Sequence, residues 1–363
     1  MQFFGMLAAI ALTALCWGVY GPVLHIGRDA MHSALRPFMC VGAAYFLIAV
    51  IVPAALIARG GEKGNWTTTG VLWSLVAGTC GALGALGVIL ALSFGGRPIY
   101  VMPLVFGGAP VVNTLLTATM NRCFNQLKAP FLAGLLLVIL GAVTVLVFKP
   151  QPHAAAAPAA VATEASAKDV TAAEAAAPES TPAAEAAGQT AAGRAAQSLE
   201  RRAEQFVEVL LAALLAMVCW GGYGPVLHRG QAAMGGSRLR PLLCIGLAYF
   251  LIAVLVPLAL LAPLGDTGTW SFSGVSWSLA AGAFGACGAL GTILAFTLGG
   301  KPFTVMPVVF GCAPVINTLT SSILQGISLQ DVSPFFLAGM LIVGIGAATV
   351  LAFAPRGHAP KAA

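Results

Sequence analysis

The sequence has few charged residues and almost no acidic residue within its apolar segments. Only 8% of its 363 residues are charged and 59% are hydrophobic, whereas a typical soluble domain carries about 25% charged residues. Eight of the 12 acidic residues lie between Glu164 and Glu208. The other four lie in breaks between apolar segments, at Asp29, Glu62, Asp266 and Asp331. Such a chain cannot present most of its surface to water, which predicts an integral membrane protein.

The sequence also lacks the motifs of several functional classes. It has no HExxH motif, no GxSxG motif and no pair of carboxylates within an apolar segment. We therefore expect that the protein is not an enzyme and that it has no catalytic residue, bound metal or cofactor. None of its eight cysteines forms a CxxC pair, which favours buried free thiols acting as small hydrophobic side chains. Its net charge of +6 comes from scattered basic residues rather than a patch, so nucleic acid is not expected as a partner.

An internal repeat sets the domain organisation. Residues 16–25, CWGVYGPVLH, return as 219–228, CWGGYGPVLH, and AYFLIAV at 44–50 returns at 248–254. Shorter segments repeat in the same order: 35–37 with 239–241, 101–103 with 305–307, 109–114 with 313–318, and 131–134 with 336–339. One duplication explains them all. It gives a first repeat at 1–149, a linker at 150–206, a second repeat at 207–355 and a tail at 356–363.

Each half contains five apolar runs of about 20 residues, the length of a helix that crosses a hydrocarbon core of ~30 Å. The predicted spans are 3–25, 37–58, 70–94, 99–120 and 130–148, followed by 207–228, 241–263, 274–298, 303–324 and 335–354. Because five is odd, the second half enters the membrane upside down relative to the first. The sequence therefore predicts an all-α membrane protein of ten transmembrane helices, arranged as two inverted five-helix repeats.

Composition and charge also predict the linker and the orientation. Residues 150–206 are mostly Ala, Pro, Glu and Thr, which favours disorder, with a helical continuation into the next span from Arg194 to Glu208. Lys and Arg are more frequent in the short loops that share a side with the N-terminus. We therefore expect cytoplasmic N- and C-termini, an external linker and location in the plasma (inner) membrane.

The duplicated motifs resemble those of the drug/metabolite transporter superfamily, specifically its EamA-like ten-helix permeases. The resemblance rests on Trp-Gly in the first helix of each half (Trp17, Trp220), Ala-Pro in the fourth (Pro110, Pro314) and FLAG in the fifth. It covers both halves and omits the linker. The turn between the fourth and fifth helices departs from the family's Gly-Glu-Arg/Lys pattern. The resemblance implies a secondary transporter for a small polar metabolite or drug-like solute.

The fourth helix of each half contains two prolines around glycines. Proline removes a backbone donor and clashes with the carbonyl four residues earlier, so these segments are expected to kink or open and to expose carbonyls to a solute. A kink that serves only packing is the alternative. The helix-break residues are Pro103, Gly107, Gly108, Pro110, Pro307, Gly311 and Pro314.

Polar and aromatic side chains in the apolar runs are the candidate solute ligands. Asn113 and Asn317 follow the prolines by one turn, and they either bind a solute or bond neighbouring helices. Two first-helix pairs share a helix face suited to stacking a ring, although interfacial aromatic residues are the alternative; they are Trp17 with Tyr20, and Trp220 with Tyr223. The glycines of the third helices are interpreted as packing residues without a ligand role.

Proton coupling has few candidate groups in this sequence, because no carboxylate lies within a span. The possible proton sites are His25 and His228, the latter being the repeat copy of the former. We predict a permease that works by alternating access. Its expected partners are a small-molecule solute and membrane lipid, and the sequence is compatible with either a monomer or a homodimer. A non-transporting membrane scaffold or assembly protein is the alternative, and a dry, fully packed centre would favour it.

Overall fold

All regular secondary structure in the described part of the chain is helical. This computed structural model describes residues 1–60, 62–96, 98–148, 182–324, 326 and 333–355. Ten of its helices are long and apolar enough to cross a membrane. The predicted all-α, ten-helix membrane fold is thus confirmed.

Each half contributes five of these helices. The first half contains α1 (Gln2–Met31), α2 (Leu35–Ala58), α3 (Thr68–Ser93), α4 (Pro98–Asn121) and α5 (Ala129–Val147). The second contains α6 (Pro182–Ala233), α7 (Leu239–Leu260), α8 (Phe272–Thr297), α9 (Pro302–Leu324) and α10 (Pro334–Phe353). The third helices begin alike, because the side chains of Thr67 and Ser271 cap them by accepting hydrogen bonds from backbone N–H groups.

Helix α6 is much longer than the predicted span. It begins at Pro182 and runs for 52 residues, so residues 182–193 of the predicted disordered linker are helical instead, and the helix continues through Arg194 to Glu208 as expected. Ala, Glu, Gln and Arg are strong helix formers, and the apolar span that follows supplies a nucleus from which the helix extends. Residues 150–181 of the predicted linker lie outside the described residues.

The two halves pack against each other reciprocally. Helix α1 packs on α8 and α3 packs on α6, while α2 pairs with α7, α4 with α9 and α5 with α10. Most contacts of a helix from one half with a partner in the other thus recur with the roles exchanged. Such reciprocity is the consequence of two inverted repeats related by a two-fold axis in the membrane plane.

The proline-containing helices α4 and α9 are unbroken, which corrects the predicted helix break. Each runs as one helix through both of its internal prolines. Close packing supports them, since a Cβ added at Gly108 would collide with Met217 and one at Gly311 would lie 2.7 Å from Val138. Prolines are tolerated in membrane helices when neighbouring helices compensate for the lost donor. Gly107, like these two glycines, faces a neighbouring helix rather than an opened backbone.

Irregular turns lie instead in α2 and α7. A wide π-helical turn occupies Phe46–Ile51 in α2 and Leu251–Leu255 in α7, each just before a proline, Pro53 or Pro257. The proline ring clashes with the carbonyl of the fourth preceding residue, and a wider turn moves that carbonyl away. Such turns are frequent at functional sites.

Helices α5 and α10 meet along a line of glycines. A Cβ added at any of four glycines would come within 3.0 Å of a backbone atom of the other helix, so the two backbones are in direct contact. These residues, here called the glycine seam, are Gly134, Gly141, Gly339 and Gly346. The faces of the two helices away from the protein carry exposed leucines and isoleucine, which suit contact with lipid.

Candidate functional site

An aromatic cavity lies at the centre of the molecule, between the two halves. Its volume is about 90 Å³, and eight of the ten helices contribute to its wall. None of the described residues that line it has a charged side chain. Most of the lining consists of equivalent residues from the two repeats: Trp17 and Trp220, Tyr20 and Tyr223, Tyr45 and Tyr249, Gly81 and Gly285, Phe106 and Phe310.

Glycines of the third helices hold the two indole rings of this cavity. Trp17 donates its indole N–H to the Gly285 carbonyl at 3.2 Å, and Trp220 donates to the Gly81 carbonyl at 3.3 Å. A Cβ added at Gly288 would collide with the Trp17 ring, as one at Gly84 would with the Trp220 ring. The sequence analysis gave these glycines a packing role only. In fact Gly81 and Gly285 also form part of the cavity wall.

The other rings meet mostly at steep angles. Trp17 contacts Tyr223 edge to face at 5.7 Å between ring centroids and 69° between planes, and Phe106 contacts Phe310 at 6.3 Å and 66°. Tyr45 and Tyr249 are the exception, since they stack in parallel at 3.9 Å. Inclined rings of this kind form walls around a space, rather than filling it.

Two tyrosine hydroxyls in the cavity wall have no hydrogen-bond partner among the residues that the structure describes. They belong to Tyr20 and Tyr223, and both oxygens are buried. The Tyr20 hydroxyl approaches Tyr249 without completing a hydrogen bond. A buried hydroxyl left unpaired costs free energy, so both groups are available to pair with a polar atom of a bound molecule.

The structure brings together the four aromatic residues predicted from the first helices and adds four that the sequence analysis missed. Trp17, Tyr20, Trp220 and Tyr223 all line the cavity. Tyr45, Tyr249, Phe106 and Phe310 were not singled out. Their signal was present in the duplication, because each half retains the same aromatic residue at the equivalent place.

The asparagines do not line this cavity. Asn113 is fully buried and donates its side-chain N–H to the carbonyl of Pro302, 2.9 Å away at the start of α9. Asn317 is half-buried on α9, against Gly21 of α1. Asn113 thus connects the two halves of the protein.

Replacing Asn113 by alanine should lower the free energy of unfolding by about 1–3 kcal/mol, because the bond between α4 and α9 is lost in a buried environment. Asn317→Ala should cost less, since this side chain is half-buried. Thermal unfolding of the two purified variants measures both effects. Equal loss of solute binding in both, with unchanged melting temperatures, would instead place the asparagines in the binding site.

The two histidines lie in different surroundings. His25 is 68% exposed, and its Nδ1 is 2.9 Å from a carboxylate oxygen of Asp29. His228 is half-buried and packs edge-on against Phe296 at 5.1 Å. Neither histidine lines the aromatic cavity.

A polar cluster joins the halves at one membrane face, and we name it the first loop cluster. Arg36, at the start of α2, forms an ion pair with Asp266 in the loop between α7 and α8, at 2.9 Å. Ser33 donates its hydroxyl to the same carboxylate, and the Arg36 guanidinium lies 5.6 Å from the ring centroid of Trp270. Burial would raise the pKa of Asp266, but hydrogen bonds from Ser33, Arg36 and the Gly268 N–H outweigh it and lower the pKa.

The second loop cluster repeats this arrangement at the opposite face. Arg240, at the start of α7, lies 3.8 Å from a carboxylate oxygen of Glu62 in the loop between α2 and α3, and 5.7 Å from the ring of Trp66. Glu62 also accepts hydrogen bonds from the N–H groups of Arg238 and Leu239. Because α2 has 24 residues, about 36 Å of helix separates the two clusters.

Metal ligands are not grouped in the part of the chain that the structure describes. No set of three or more His, Cys, Asp or Glu residues within those ranges could hold an ion. The cavity lining contains no His, Cys, Asp or Glu among the described residues.

Comparisons with known proteins support the fold alone. No protein-family model matches the chain, and no curated protein matches it significantly. One solved crystal structure, described only as that of a protein, aligns over 99% of this chain and 100% of its own with a TM-score of 0.61. Their sequences are 18% identical, so the likeness concerns the arrangement of helices.

Proposed function

We propose that the protein is a secondary transporter that moves a small solute across a membrane by alternating access of its two halves. Membership of the EamA-like branch of the drug/metabolite transporter superfamily is part of this proposal. The observation that carries it is the central cavity. A scaffold held together by packing needs no space at the meeting point of eight helices, whereas a carrier needs a binding site there.

The two loop clusters supply what alternating access requires at the faces. Each joins a loop of one half to the start or end of a helix in the other half, and the clusters lie at opposite ends of α2. Opening either cluster while the other stays formed would expose the cavity to one side only. Both clusters are formed in this structure.

The π-helical turns lie where such a movement would be transmitted. A Cβ added at Gly42 of α2 would lie 2.9 Å from Ala253 in the wide turn of α7, and one at Gly246 of α7 would lie 2.7 Å from Ala49 in that of α2. The wide turn of α2 directly follows the stacked Tyr45, and that of α7 begins two residues after its partner Tyr249. A shift of α2 against α7 would therefore change the cavity wall itself.

Binding followed by flux tests the proposal. A screen of small solutes by thermal shift identifies ligands, because a ligand that binds the native state raises its apparent stability. The ligands found are then offered to proteoliposomes, where uptake should exceed that of protein-free liposomes. If no solute stabilises the protein and none crosses faster than in the controls, the scaffold function is favoured.

The proposed orientation has its own test. A cysteine introduced near Gln189 in the linker should react with a membrane-impermeant reagent added to intact cells, whereas one added at the C-terminus should react only after permeabilisation. The excess of basic residues in the loops on the N-terminal side predicts this result. Reaction of both cysteines from the same side would contradict ten membrane crossings with this orientation.

A further inference from the structure

The cavity wall has a specific chemical character. Its described residues present indole, phenol and phenyl rings, and none of them is Lys, Arg, Asp or Glu. The face of an aromatic ring carries partial negative charge, and several inclined rings together form a site for a cation. The absence of basic side chains from the wall leaves an anionic solute without a counter-charge.

The same wall distinguishes between kinds of cation. A primary ammonium carries three N–H donors, which outnumber the two unpaired tyrosine hydroxyls of the wall, and burying a donor without an acceptor is costly. The acceptor that would neutralise such a group, a carboxylate, does not line the cavity. A quaternary ammonium has no N–H, spreads its charge over methyl groups and binds to ring faces without hydrogen bonds.

We infer that the cavity binds a small quaternary ammonium cation that carries a hydroxyl or carbonyl oxygen. The rings of Trp17, Trp220 and Phe106 contact the charged head, and the unpaired hydroxyls of Tyr20 and Tyr223 bond to the oxygen. The cavity is small, at about 90 Å³, so the head group is small as well. This inference rests on the proposed function, because it takes the cavity as the solute site.

Comparing choline with two related compounds distinguishes the effect of the ligand's charge on binding from the effect of its shape. 3,3-Dimethyl-1-butanol has the shape of choline with carbon in place of the charged nitrogen, and ethanolamine keeps a charge but carries N–H donors. Binding to the purified full-length protein is measured by thermal shift and by quenching of tryptophan fluorescence. We expect choline to bind at least about tenfold more tightly than either relative, the ratio that one good cation–π contact supplies.

Matched variants locate the binding. Trp17→Leu and Trp220→Leu should each weaken choline binding about tenfold, whereas Trp277→Leu should not, because Trp277 is 42% exposed and lies outside the cavity. Phe106→Leu repeats the test should a tryptophan variant fail to fold. Tyr20→Phe with Tyr223→Phe should weaken choline binding but leave tetramethylammonium, which has no hydroxyl, unaffected.

Three results would overturn the inference. 3,3-Dimethyl-1-butanol could bind as tightly as choline, ethanolamine could bind as tightly as choline, or Trp277→Leu could weaken choline binding as much as the cavity variants do. Flux in proteoliposomes separates this inference from the proposed function. Choline that binds with the expected preferences but never crosses supports the cation site and contradicts the transporter. Transport of another solute by a protein that does not bind choline contradicts the cation site and supports the transporter.

Discussion

Replacing Gly84 or Gly288 by alanine is expected to abolish solute transport. The added methyl group occupies the space of the Trp220 or Trp17 ring, so the ring moves and its N–H loses the carbonyl of Gly81 or Gly285. The direction open to the ring is the cavity, which holds only about 90 Å³. Overpacking of this kind costs about 1–3 kcal/mol of stability, which leaves folded protein for the measurement of uptake.

Two controls identify the collision as the cause. Gly344 lies in α10 with no atom within 4 Å of an added Cβ, so Gly344→Ala should transport like the parent protein. Combining Gly84→Ala with Trp220→Phe replaces the indole by a smaller ring and should restore part of the activity. Unchanged uptake by Gly84→Ala and Gly288→Ala would show that the cavity is not the route of the solute.

Neutralising the acid of one loop cluster should expose the cavity to that face only. Asp266→Asn removes the partner of Arg36, and Glu62→Gln removes that of Arg240. Both pairs are largely inaccessible, with 17% and 8% side-chain exposure for Arg36 and Asp266 and 11% and 4% for Arg240 and Glu62. Removing one partner from a buried pair costs roughly 3–5 kcal/mol, which is enough to change the dominant conformation.

A cysteine placed in the cavity wall shows from which membrane face the cavity is accessible. In a protein with its native cysteines replaced, Ala85→Cys is labelled by an impermeant maleimide applied to either side of sealed vesicles. Asp266→Asn should increase labelling from the face of the first loop cluster, and Glu62→Gln from the opposite face. Asp29→Asn is the control, since this carboxylate lies at the first face but is 65% exposed. Increased labelling from the same face in both variants would contradict the assignment of the clusters as gates.

Acid should act on the first loop cluster only at low pH. The pKa of Asp266 is lowered in the folded protein, so its contribution to stability is complete above the ordinary carboxyl value of about 3.9 and is lost as pH falls through the lowered value. The cluster therefore stays charged throughout the physiological range.

The helices could be predicted from sequence because each follows from a local property, the length of an apolar run. The details that depend on neighbours could not. Pro110 was expected to open α4, yet the helix continues because tight packing at Gly108 supports it. Conversely, the wide turn before Pro53 was not predicted, because a proline within an apolar run is equally compatible with a kink, a break or a wide turn.

The cavity was predictable in part for a similar reason. Trp17 and Tyr20 stood out because they occupy one helix face beside a duplicated Gly-Pro. Tyr45 and Phe106 did not stand out. An aromatic residue within an apolar run can face either lipid or protein, and the neighbouring sequence does not show which. The loop clusters were missed altogether, because Arg36 and Asp266 are 230 residues apart.

The glycine seam between α5 and α10 sets the geometry of any movement of the halves. Two helices in backbone contact can roll on each other, but separating them would open a void that neither lipid nor side chains fill. One edge of the molecule is therefore a fixed axis. When one half rotates about this axis, each residue is displaced in proportion to its distance from the seam. A rotation too small to disturb the contacts of Gly141 or Gly346 therefore moves residues on the opposite side of the protein much farther.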